Sequence, residues 1–249
     1  MSAATAGPVV PAADAARPLP PPVWRTVRSL ARTYAVVAAW FVAVVLVLWV
    51  GAVVVAMRFG PLGQSMVQFS RQGMTWFPFS IGVTVVAGYH AAHIAAGMTR
   101  RALGVGTLLT SVGNAVVLSA VIAGLFWVEG LLYAANGWQQ AIIDEGWFPA
   151  DAGDLLAILG WQTLVTTAAQ VSGMLVAVVY QRTGPWWGTL LLPLTAGPIV
   201  GMWWIVARGV TAEWLTTGAR VGLSVLLTAA LAAAYLVLLR GLQLRTPRT

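Results

Sequence analysis

His90 and His93 are the only histidines in the chain. They stand three residues apart, near one end of an apolar run. On a helix, that spacing puts both rings on one face. An ionisable group inside a membrane segment is a functional candidate by default. Two chemistries are open to the pair: ligation of a metal or a haem, or hydrogen bonding between helices. A stable metal site takes three or four ligands. The sequence offers no cysteine, and no acid falls in the inner half of any apolar run. The pair is therefore read as neutral hydrogen-bonding side chains, with no cofactor and no metal. Asn114, Gln162 and Gln170 are the other polar side chains deep in apolar runs, and each is expected to bond across helices. None supplies the mid-membrane carboxylate that a proton-coupled carrier uses. No Gly-x-Ser-x-Gly elbow is present, and the absence of lysine rules out a phosphate loop. The expectation is a chain with no enzymatic activity of its own, served by a separate polypeptide if ATP drives it.

The second candidate is the basic turn Thr99-Arg100-Arg101, set between two long apolar runs. Paired arginines in a short loop mark the cytoplasmic side. The small residues Gly88, Ala91, Ala92, Ala95, Ala96 and Gly97 just before it are expected to admit a close helix neighbour.

The elements that must position these residues follow from composition. Of 249 residues, 59% are apolar and 8% charged, against about 25% charged in soluble domains, so lipid is the expected solvent. All 14 basic residues are arginine, and they sit at the ends of apolar runs rather than in a patch interleaved with aromatics. That placement sets topology and speaks against nucleic acid. Residues 1–22, rich in Ala and Pro, read as a disordered cytoplasmic tail. In the next segment Arg25, Arg28 and Arg32 share one helical face, while Trp24, Val27 and Ala31 share the other, with Leu30 at the margin. This is the pattern of an interfacial amphipathic helix.

Six runs are long enough to span a bilayer, at about 20 residues each: 34–57, 76–98, 103–128, 155–180, 186–207 and 217–239. Pro193 and Pro198 predict a break in the fifth. The all-α expectation is thus a six-helix transmembrane domain over 23–240, preceded within it by the interfacial helix. A short basic cytoplasmic tail, 241–249, follows. Ten arginines fall on one side and Arg58, Arg71, Arg208 and Arg220 on the other, which places both termini in the cytoplasm of a multi-pass plasma-membrane protein. Glu129 and Asp154 are expected at the outer ends of spans three and four, solvated by headgroups and water. The loop between them is read as a short helix on the outer interface.

This pattern of an arginine-bearing leading helix, six spans and a short basic inner turn resembles the permease subunits of bacterial ABC-type exporters, in the ABC-2 superfamily. Its most motif-like piece, Gly97-Met98-Thr99-Arg100-Arg101-Ala102-Leu103, is similar to the turn of actinobacterial permease-like proteins. The resemblance implies a homodimer or heterodimer of permeases with separate cytoplasmic ATPase subunits. It further implies that Thr99, Arg100 and Arg101 form the ATPase-coupling turn, and that substrate passes at a dimer interface lined by spans one, two and five. The competing expectation is a non-transporting membrane scaffold or accessory protein.

Overall fold

The computed structural model describes residues 21–142, 153–206 and 215–242, and every regular element among them is helical. Helix α1 (Pro22–Ala56) leads through a loop with one 3-10 turn (Val67–Phe69) into α2 (Ser70–Ala95). After a tight turn comes α3 (Arg100–Ala135), then α4 (Leu155–Thr183). Three short pieces follow, α5 (Pro185–Leu190), α6 (Leu192–Thr195) and α7 (Gly197–Val206). The last helix is α8 (Thr217–Arg240). Helices α1, α3, α4 and α8 are long and apolar enough to cross a membrane.

Helix α4 is the hub. It packs against α2, α3, α7 and α8, and its residues from Val165 to Val179 are buried without interruption. Its closest neighbour is α2, and the contact is made by a reciprocal pair of glycines. A Cβ on Gly173 would lie 2.0 Å from the Phe79 carbonyl oxygen, and one on Gly82 would lie 2.2 Å from that of Gln170. Small residues let two backbones meet where apolar side chains gain nothing over lipid. The small-residue stretch expected to do this, Gly88 to Gly97, does not. Gly88 has nothing within 4 Å of its would-be Cβ, and Ala91, Ala92, Ala95 and Ala96 are exposed. The close approach lies two turns earlier, where α4 offers Gly173.

Helices α1 and α3 run parallel in fixed register. Thr26 packs on Gly106 at one end, and Trp49 bonds Glu129 at the other, both pairs being 80 residues apart. Stacked rings of Phe41 and Phe77, 3.9 Å between centroids, tie α1 to α2. The outward faces carry large apolar side chains: Trp40 is 73% exposed, Val47 71% and Leu226 67%. Such surface suits lipid better than water.

Two sequence expectations change here. The arginine-bearing segment is not a separate helix on the interface. It is the first three turns of α1, continuous to Ala56, because nothing between Val23 and Ala56 interrupts a helix. Its packed stripe is also different: Thr26, Leu30, Tyr34 and Ala38 are buried, whereas Trp24 and Ala31, assigned to the apolar side, are exposed. The break expected in the fifth run is present. The helix is interrupted at Leu191 and Ala196, each two residues before a proline, as expected where a ring removes a backbone donor. The Thr195 hydroxyl donates to the Leu191 carbonyl at 3.1 Å, occupying one acceptor beside the break. Of the loop from Glu129 to Asp154, read as an outer interfacial helix, the part up to Ala135 continues α3 and 136–142 are not helical, while 143–152 lie outside the described residues.

Candidate functional site

One end of the molecule gathers arginines. The turn from α2 to α3 closes through Gly97, whose φ of 73° lies in the left-handed region that only glycine adopts without strain. Thr99 then caps α3, its hydroxyl accepting from Ala102 N at 3.1 Å, a standard use of threonine at a helix start. Arg100 Nη1 donates to the Arg240 carbonyl at 3.2 Å, and Arg182 Nη1 donates to the Leu238 carbonyl at 3.0 Å. The ends of α4 and α8 therefore lie at this end too, with two cations capping the last turn of α8, where the helix dipole favours positive charge. Arg101 and Thr99 are exposed. Because Thr26 seats on Gly106, six residues or about 9 Å into α3, the start of α1 joins the same end. Arg25, Arg28 and Arg32 are all exposed along the first three turns of α1.

The histidines lie just inside this end. His90 is 3% exposed and His93 half-buried. The Nε2 atom of each lacks a hydrogen-bond partner, so the expected interhelical bonds of this pair are not formed by those nitrogens. Among the described residues no cluster of three His, Cys, Asp or Glu could hold a metal ion.

A belt of buried polar side chains crosses the core above them. Asn114 Nδ2 donates to Gln170 Oε1 at 3.2 Å, the bond across helices expected of both residues. Thr107 and Tyr235 share a hydrogen bond at 2.9 Å between α3 and α8. Gln162 behaves differently: it donates to Thr166 on its own helix at 3.1 Å, and Thr166 carries the link across, donating to the Met74 carbonyl at 3.4 Å.

The opposite end holds the feature that the sequence reading placed wrongly. Glu129 is not solvated; it is 0% exposed. Helix α3 runs on past Val128 to Ala135, which draws Glu129 one and a half turns inside. Its Oε1 accepts from Met66 N at 2.8 Å, Val67 N at 3.0 Å and Trp49 Nε1 at 3.1 Å. Its Oε2 accepts from Gln140 Nε2 at 3.0 Å and from the Ser65 hydroxyl. Five donors from α1, the α1–α2 loop and the segment after α3 thus converge on one carboxyl group. Ser65 N bonds the Ala141 carbonyl and Gln139 N the Leu62 carbonyl, lashing the two loops together beside it. Tyr133 adds a bond to the Gln64 carbonyl at 2.9 Å. The available sequence signal was the apolar, helix-favouring stretch Leu131 to Ala135, which carries the helix beyond the acid. Asp154, by contrast, is exposed as expected and caps α4 by accepting from Ala157 N at 3.1 Å.

No protein-family model matches this sequence, and neither a curated protein nor a solved structure matches it.

Proposed function

We propose that this chain is the membrane-embedded permease subunit of an ATP-driven ABC-type exporter, powered by a separate ATPase. In this reading α2 and the broken α5–α7 run complete six spans. The arginine end, with both termini, faces the cytoplasm of the plasma membrane. At 26 residues, α2 is about 39 Å long, enough for the hydrocarbon core.

The observation that supports this most is the shared address of the α1 start and the α2–α3 turn. Thr26 on Gly106 brings them to one end, leaving Arg25 and Arg101 exposed there and Arg28 and Arg32 exposed on the turns of α1 that follow. A soluble partner with acidic or carbonyl-rich grooves finds a cationic surface in that arrangement. Arg100 ties the turn to the end of α8, so a push on the turn is passed to two long helices. A second permease subunit, identical or related, would complete the pathway.

The test is purification of the tagged full-length protein from its native host in gentle detergent. A stoichiometric ATPase carrying a phosphate loop is the expected companion. The double variant Arg100→Lys/Arg101→Lys keeps charge and insertion but loses the planar fork of donors, and should weaken that association about tenfold. Recovery without any ATPase overturns the permease reading in favour of a scaffold. Association unchanged in the lysine variant removes these two arginines from the contact.

A further inference from the structure

Between α1 and α3, on the lipid-facing side, runs a groove of about 490 Å³. Along α1 its walls extend from Val27 to Val42, and along α3 from Leu109 to Val121. On α1 that is about 22 Å, a length that a single extended hydrocarbon chain can follow.

The lining is apolar except at three places. Tyr34 turns its hydroxyl into the core, where it is buried, and Thr110 spends its hydroxyl on the Gly106 carbonyl at 2.8 Å. Asn114 remains. It is 8% exposed, lines the groove about midway along its α3 wall, and uses one end of its amide on Gln170. The other end has no partner among the described residues. In hydrocarbon an unpaired amide end is costly, and an ordinary acyl chain cannot relieve it. A half-turn of the amide exchanges its donor and acceptor ends. A hydroxyl, which both donates and accepts, satisfies either.

The groove also has a charged mouth. Arg28 and Arg32 follow Val27 and Ala31 by one residue each and are exposed. Among the described residues both acids, Glu129 and Asp154, belong to the opposite end.

We infer that the α1–α3 groove binds a single-chain amphiphile of the hydroxylated fatty-acid class. Its anionic head lies at Arg28 and Arg32, its chain along the alanines of α1, and its hydroxyl on Asn114. This site stands on the groove itself and does not require the permease reading.

The experiment uses the full-length protein in lipid nanodiscs, with radiolabelled stearate bearing a mid-chain hydroxyl and stearate itself as probes. The hydroxylated chain should bind saturably and about five- to tenfold tighter than stearate, the worth of one hydrogen bond in an apolar medium. Asn114→Leu should keep the binding of both chains and abolish the preference. Gly113→Leu fills the groove at a position where an added Cβ meets nothing within 4 Å, so the fold tolerates it. It should weaken both probes tenfold or more. Absence of saturable binding, equal affinity for the two chains, a preference that survives Asn114→Leu, or full binding in Gly113→Leu would each overturn the assignment.

Discussion

Removing the Glu129 carboxyl should release the loop between α1 and α2 while leaving the helical core intact. In Glu129→Ala, the N–H groups of Met66 and Val67, now bonded at 2.8 and 3.0 Å, lose their only acceptor and cannot turn away without moving the backbone. Stranding a buried donor costs about 1–3 kcal/mol, so the two together cost about 2–6 kcal/mol. The side chains of Ser65, Trp49 and Gln140 are freer to find water and add less. A central value of about 4 kcal/mol is close to a thousandfold in the local opening equilibrium. Glu129→Gln keeps the shape and the Oε1-type acceptor but turns an amide N–H₂ toward Gln140 and Ser65. That conflict should cost about 1–2 kcal/mol, roughly tenfold. The assay is amide hydrogen exchange with mass spectrometry on nanodisc-embedded protein, read on peptides covering 62–69 and, as control, 165–179. Protection of the loop should fall about tenfold in Glu129→Gln and several hundredfold or more in Glu129→Ala, with the α4 peptide unchanged. Loop protection within threefold of wild type in Glu129→Ala would refute the clasp. Equal losses in both variants would refute the accounting by individual donors.

Two further outcomes follow from the packing and from the arginine distribution. Gly173→Ala should lower the thermal midpoint in detergent sharply, by about 3 kcal/mol or more of overpacking against the Phe79 backbone; Gly88→Ala, in open space, should match wild type, and equal behaviour of the two would refute the α2–α4 contact. The chain has no native cysteine, so single cysteines report topology cleanly. A membrane-impermeant thiol reagent added to intact cells should label Gly63→Cys and spare Thr99→Cys, and the reverse pattern would invert the proposed orientation.

The sequence by itself determined that long apolar helices are present and where the fifth run breaks, because both rest on local chemistry. A run of apolar residues without charge has one favourable solvent in a membrane, and a proline removes its own donor wherever it stands. The arginines that cap α8 could likewise be placed at one end, since charge sorts to the ends of apolar runs. Which face of each helix packs was a different matter. When lipid is as apolar as the core, hydrophobic periodicity no longer separates inside from outside. That is why Trp24 and Ala31 face outward while Thr26 and Tyr34 are buried, and why the close glycines proved to be Gly82 and Gly173 rather than the run after Gly88. Glu129 shows the same limit most plainly. Its charge and its position near the end of an apolar run pointed to solvent. Only the convergence of Trp49, Ser65, Met66, Val67 and Gln140, drawn from segments up to 80 residues away, supplied the five donors that make its burial stable. Donors so distant in the chain meet through tertiary packing alone.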